Sequence, residues 1–311
     1  LALHDISILG SLFTDGKIQK IFHAAEYDIL TLRRDFDFEF NNLFDTMVAS
    51  RILGRRQVGL GNMLAAEFNV RIQKKFQKAD WGKRPLSPAM LDYARLDTHY
   101  LIRLRDILYG ELKQTNRLPV AEEDFARLCR LNGSGPAPQP TDIWRMNGAL
   151  DLTPQQATIL NLLVDYRRVM AEKIDKPLFK VIGDKTLVEI AAVEPRSQNA
   201  LRKIKGMSAP QPQRHGRAIL AAVREGSLGK PTYPPRPKRL DQGVADRLEA
   251  LRSWRKKTAM GLGVESDVVL PKDVMLALAK HGKSGIPEAM ESVPWRLERF
   301  GQAIEKVLAE S

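Results

Sequence analysis

The sequence predicts an α/β domain followed by two small all-helical domains. Three observations carry this: one apolar strand-like segment followed by short helical ones near the start, long helical stretches after residue 150, and an internal repeat in the second half. The length of 311 residues fits two or three domains with sizeable cores. An apolar fraction of 43% and a charged fraction of 28% are ordinary for a folded chain and exclude global disorder.

Taken in order, Ile18 to Ala24 (IQKIFHA) reads as a short strand and Ala25 to Arg34 as a helix. Asp45 is placed to N-cap a helix through Leu53, and Gly59 to Phe68 reads as another. Residues 70–86 carry no long period and read as a basic loop or lid. Ser87-Pro88 then opens a helix expected to run unbroken to about Leu112, with Ser as cap and Pro at the first position. Asn132 to Thr141 is rich in Gly and Pro and reads as a linker. Thr153-Pro-Gln-Gln156 forms a capping box opening a helix to about Lys173. Gly229 to Lys238 is Pro-rich, basic and expected to be extended. The expected organisation is therefore 1–115, a linker with a short helix over 116–150, a helical domain over 151–228, a linker over 229–240 and a second helical domain over 241–311.

The two helical domains read as copies of one unit. DYRRVMAEKI (165–174) aligns with SWRKKTAMGL (253–262), and KVIGDKTLVEIA (180–191) with VVLPKDVMLALA (268–279), both at an offset of 88. HGRAIL (215–220) aligns with FGQAIE (300–305) at an offset of 85. Two copies are too few for a solenoid, so each is expected to be a small independent domain.

The net charge of +12 is unevenly spread: −4 over residues 1–50, +7 over 51–84 and +9 over 201–240. Basic clusters suit a polyanion, because they displace counterions from phosphates. The alternative is a solvated basic surface. No apolar run approaches the length of a membrane span, and no basic amphipathic helix with an aromatic face suggests a membrane surface. A single cysteine, Cys129, rules out intrachain disulfides and suits a reducing compartment such as the cytoplasm. No phosphate-binding Gly-x-x-x-x-Gly-Lys loop is present, so no motor is expected. The five histidines show no zinc-like spacing.

Two carboxylates break their helices' patterns. Met90, Ala94, Leu101, Leu104 and Leu108 form an apolar stripe whose one gap is filled by Asp97, with Tyr93 one turn before it. Asp28 shares the face of Ala25, Ile29 and Leu32. Both are therefore expected on buried faces. A buried ionised carboxylate needs a cation or several donors. Structural ion pairs or helix caps are one reading; hard oxygen ligands for Mg²⁺ or Mn²⁺ are the other.

KIFHAAEYDILTL (20–32) with LFDTMVASRILG (43–54) resembles the second exonuclease motif of ribonuclease D and the sequence after it. ADWGKRPLSPAMLDYARLDTHYL (79–101) resembles its third motif, Tyr-x-x-x-Asp. The repeat resembles the HRDC module. The resemblance implies an RNase H-like α/β core of the DEDD 3′→5′ exonucleases, in which four carboxylates hold two divalent ions. It implies that Asp28 and Asp97 are the last two of the four and that Tyr93 orients the attacking water. It further implies RNA substrates, tRNA precursors among them. His23 and Asp45 match family positions, but packing or hydrogen bonding suits His23 better, and an N-cap suits Asp45 better than a ligand. The family's first motif, a strand-borne Asp-x-Glu, does not precede Lys20. The Asp37-x-Glu39 pair follows the second motif and is in the wrong order. The exonuclease domain is thus expected to be N-terminally incomplete, to bind metal poorly, and to expose a sheet edge open to self-association.

Lys74, Lys75, Lys78, Lys83 and Arg84 in the loop before the third motif are candidate RNA contacts, with Trp81 either stacking on a base or packing under the loop. Arg202, Lys203, Lys205, Arg214 and Arg217 are the candidates in the first helical repeat. In the second repeat Arg252, Arg255, Lys256 and Lys257 form a basic run, with Trp254 expected in the core. A catalytic exoribonuclease and a non-catalytic RNA-binding protein on the same scaffold are the two functions to separate.

Overall fold

A computed structural model describes residues 6–72, 74–77, 79–131, 142–207, 210–235 and 240–311. The expected linker over 132–141 lies outside them. The chain divides into two units, one made of residues 1–135 with 239–311 and the other of 136–238.

The first unit opens with α1 (Ile8–Thr14), β1 (Lys20–Phe22), α2 (Glu26–Phe36), β2 (Leu43–Asp45), α3 (Thr46–Ile52) and α4 (Leu60–Phe68). It continues through α5 (Pro88–His99), α6 (Leu101–Gln114) and α7 (Leu118–Cys129). β1 and β2 are parallel, with Lys20 opposite Leu43, Ile21 opposite Phe44 and Phe22 opposite Asp45. The strand is shorter than the apolar run suggested, because Ala24 turns the chain at φ 63° and starts α2. Behind the sheet, Phe44, Ile52, Met63, Leu104, Leu108 and Phe125 form one core. The twelve-residue helix α7 belongs to that core: the Phe125 ring sits 4.7 Å from that of Phe44. A segment expected to be linker is therefore part of the α/β body.

The helix expected from Ser87 to Leu112 breaks at Tyr100, whose ring stacks on Phe68 at 5.1 Å. Ser87 caps α5 as expected, accepting from the Met90 N–H. Beyond the break, Leu101, Leu104, Leu108 and Leu112 are buried, but α5 buries no residue. The apolar stripe is real only in its second half, and Asp97 does not lie on a buried face.

The second repeat completes this unit: α13 (Gln242–Leu262), α14 (Ser266–Val269), α15 (Lys272–His281), α16 (Ile286–Ala289) and α17 (Pro294–Ala309). Trp254, half-buried, packs edge-on to Phe300 against its core, close to the expectation. The expectation of an independent domain needs correction. Val268 and Trp295 pack against the α/β core. Arg296, fully buried, pairs with Glu123 and, at 2.9 Å, with both oxygens of Asp124 on α7. Glu123 also accepts the Trp295 N–H at 2.7 Å, closing the start of α17 from another part of the chain. Arg51 of α3 pairs with Glu265 and Asp267, and Arg127 of α7 with Asp273. Residues far apart in sequence make this interface, so no local pattern announced it.

The other unit contains α8 (Pro154–Lys173), α9 (Leu178–Val181), α10 (Asp184–Val193), α11 (Gln198–Arg202) and α12 (Pro210–Leu228). The capping box at Thr153 and Gln156 forms as the sequence reads, with both reciprocal bonds present. α8 and α12 approach closely at Gly226, where a Cβ would lie 2.8 Å from the Ile159 Cα. The start of the Pro-rich stretch is not free. Thr158 Oγ1 donates to Lys230 O, and the Thr232 N–H donates to Pro154 O at 3.0 Å.

Replacing Arg296 by Met leaves the buried Glu123 carboxylate without its cation. Urea unfolding of the full chain should show a loss of about 3–5 kcal/mol. A loss under about 1 kcal/mol would mean that the buried pair does not hold the second repeat in place.

Candidate active site

Asp45 organises the site. Its carboxylate accepts the Met47 and Val48 N–H groups at 2.8 and 3.1 Å, capping α3. It also accepts the Ala24 and Ala25 N–H groups at 3.1 and 2.6 Å, where β1 turns into α2. With four main-chain donors on a buried carboxylate, Asp45 is a cap for α3 and a brace for α2, the role its position suggested. Next to it, Thr46 Oγ1 donates its single proton to Phe22 O. His23 Nδ1, 2.9 Å from the same oxygen, must therefore be the donor of that pair, leaving Nε2 as the acceptor nitrogen of the neutral ring. Burial lowers the His23 pKa, with Asp45 opposing that shift, so the ring stays neutral near pH 7.

Asp28 projects from the first turn of α2. It is exposed, contrary to the expectation of a buried face: Ala25 and Ile29 are buried, but Asp28 lies beside that face and not on it. Partial loss of hydration and the nearby Asp45 charge nevertheless raise its pKa. Asp97 on α5 is likewise exposed, and loss of hydration raises its pKa. Among the described residues neither carboxylate has a hydrogen bond or an ion pair. Among the described residues neither the ion-pair nor the helix-cap reading finds a partner for them. Asp45, not these two, does the capping.

Tyr93 sits one turn before Asp97, whose charge raises the phenol pKa further after loss of hydration. An interaction with the Gln77 side chain opposes that shift. The Tyr93 ring lies 5.8 Å from both Phe76 and Trp81. Trp81 Nε1 donates to Phe76 O at 3.1 Å, so the indole packs within the loop and holds Tyr93. Phe76 and Gln77 were not singled out from the sequence. The one available signal was an apolar ring inside an otherwise basic loop.

The structure thus pairs Asp28 with Asp45 and Tyr93 with Asp97. Among the described residues it assembles no group of three acidic, His or Cys side chains able to hold a metal. The donors are of the hard-oxygen type a divalent ion prefers, but they do not by themselves complete a two-ion site.

The basic candidates divide. Lys75, Lys83 and Arg84 are exposed, although Arg84 Nη1 spends bonds on Trp81 O and Lys83 O. Lys78 and the side chain of Lys74 lie outside the described residues. In the other unit, Arg202, Lys203, Lys205, Arg214 and Arg217 are all exposed. No helix of the described residues is long and apolar enough to cross a membrane.

Comparison with known proteins identifies the family. Residues 1–113 match the 3′-5′ exonuclease family model, and residues 156–223 and 244–308 each match the HRDC domain model. A ribonuclease D of Granulibacter bethesdensis is 30% identical over 308 residues, covering 96% of this chain and 76% of the relative. The chain belongs to the ribonuclease D family. It is a 3′→5′ exoribonuclease by that membership, with an exonuclease domain followed by two HRDC domains. A ribonuclease D of Sphingobium indicum is 29% identical and covers 96% of this chain and 77% of the relative. The crystal structure of Escherichia coli RNase D, an exoribonuclease involved in structured RNA processing, shares the fold. Its TM-score is 0.63 at 23% identity, covering 98% of this chain and 83% of that one.

Two measurements test the site's electrostatics. Asp45→Ala removes four acceptor contacts and should lower stability by about 3 kcal/mol in urea unfolding, with Asp45→Asn losing clearly less. Asp28 holds its proton to higher pH folded than unfolded. Its ionisation therefore works against folding, and the penalty is complete above the raised folded pKa. Asp28→Asn should melt about 1 °C higher than the parent at pH 7, the difference vanishing as pH falls below the ordinary carboxylate range. A melting temperature lowered at pH 7 would contradict the raised pKa.

Proposed function

We propose that this ribonuclease D removes nucleotides from the 3′ ends of structured RNA, tRNA precursors among them, in the cytoplasm. The observations that carry the reading are made at Tyr93 with Asp97 and, separately, at Asp28. Among the described residues neither carboxylate has a protein partner, and the phenol lies one turn from Asp97 and is held by an aromatic loop. Asp28 and Asp97 would hold Mg²⁺ or Mn²⁺, which supplies Lewis-acid stabilisation of phosphodiester oxygens when bound. Tyr93, kept protonated by its raised pKa, donates or accepts one hydrogen bond to position the attacking water. Trp81 and Phe76 restrict its ring so that little orientation is lost on binding. Lys74, Lys75, Lys78, Lys83 and Arg84 guide the strand through backbone contacts of little sequence preference.

The absence of a third acidic ligand among the described residues supports two companion readings. Residues 1–311 hydrolyse RNA slowly, because the Asp-x-Glu carboxylates of the family are not among them. The alternative function, RNA binding without catalysis, follows if hydrolysis stays absent when those carboxylates are supplied. The edge that β1 leaves unpaired among the described residues is proposed to favour self-association.

The decisive experiment measures Mg²⁺-dependent 3′ trimming of a labelled tRNA precursor. A version extended upstream with an Asp-x-Glu strand should be at least about 100-fold faster than residues 1–311. In the extended version, Tyr93→Phe should lower kcat by about 100-fold with KM unchanged. Equal rates with and without the extension would overturn the dependence on the upstream carboxylates. No trimming by either would favour the binding protein.

A further inference from the structure

The first HRDC domain carries a groove of about 790 Å³ between α12 and the turn joining α10 to α11. Arg196 lines it from the turn, and Arg217 and Arg224 line it from α12. The last two are seven residues apart, which puts them two turns apart on one face of the helix. All three are exposed, and among the described residues none has an ion pair or hydrogen bond. One acid, Glu194, lines the same groove. Pro195, Leu220 and Leu228 supply apolar surface between the guanidiniums, and Leu228 is 85% exposed. No aromatic ring lines the groove, so it offers no stacking platform for bases.

The repeat shows that the fold does not require these arginines. At the offset of 85, Arg217 corresponds to Gln302 and Arg224 to Ala309, both on α17 of the second copy. The second copy folds around the same kind of core without either charge. Unpaired guanidiniums converging on a groove, in one copy only, are placed there for a partner and not for packing.

We propose that this groove binds the phosphodiester backbone of single-stranded RNA, with Arg196, Arg217 and Arg224 as phosphate contacts. The proposal rests on the RNA reading above and narrows it to one surface. Only Arg217 is shared with the basic residues picked out in this domain from the sequence. Guanidiniums suit this partner because their planar forks pair with two phosphate oxygens at once. The apolar patches between them accommodate the sugar edges, and recognition is independent of sequence.

The test uses the full chain and a fluorescein-labelled single-stranded RNA, with EDTA present so that cleavage plays no part. The variant replaces the three arginines as Arg196→Ser, Arg217→Gln and Arg224→Ala, the last two taking the second copy's residues. Its affinity at low salt should fall about tenfold or more. The slope of log affinity against log salt should become shallower by about 2, at roughly 0.7 for each lost phosphate contact. Arg224→Glu alone should weaken binding in the same direction, which keeps the test open if the triple variant misfolds.

If the parent chain binds no RNA at low salt, the RNA reading fails and the groove assignment with it. If the parent binds and both variants match it in affinity and salt slope, only the groove assignment is overturned. If RNA affinity is unchanged but affinity for an oligoglutamate peptide is lost, the groove belongs to an acidic protein segment and the assignment is likewise overturned.

Discussion

The Asp45 carboxylate is the constraint on which the site depends. It accepts main-chain donors from the start of α3 and from the turn that starts α2. It thereby ties β2 to the turn out of β1 and fixes the direction in which Asp28 projects. Its own charge is held by four N–H groups, and that same charge raises the pKa of Asp28. A carboxylate whose oxygens are satisfied by main-chain donors thus tunes one that has no partner among the described residues. His23 and Thr46 extend the same arrangement, with a hydroxyl that has one proton to give and therefore selects the histidine tautomer.

Much of this was legible in the sequence, and what was legible was local. The N-cap at Asp45, the cap at Ser87 and the box at Thr153 and Gln156 all form, because each is settled within four residues. The motifs around Asp28 and Asp97 identified the family for a similar reason. Burial was read less well. Periodicity says which side chains share a face but not what lies opposite it. α5 buries none of the expected stripe, while α6 buries Leu101, Leu104, Leu108 and Leu112. At the break, Tyr100 stacks on Phe68 of α4, thirty-two positions earlier, a contact that no window over 87–112 contains.

The exonuclease domain and the second HRDC domain also show how far an interface can escape sequence reading. Glu123 and Asp124 lie on α7, within a stretch that reads as linker, and their cation Arg296 sits at the start of the last helix. Such a buried triad is held by geometry. It is costly to leave half-made and adds little over a well-packed apolar substitute.

The two HRDC copies have parted at one position with a wider effect. In the first, Arg167 is buried and pairs with Asp184. Its counterpart at the offset of 88 is Arg255, and the counterpart of Asp184 is Lys272. The second arginine has lost its acid, and burial lowers its pKa. The neighbouring acid that opposes that shift, Asp267, is engaged by Arg51 of the exonuclease domain. A module that keeps its counter-charge inside itself is portable between proteins. One whose acid is engaged by a neighbour, as Asp267 is by Arg51, is tied to that neighbour, and the second copy is in this way a fixed part of the exonuclease body.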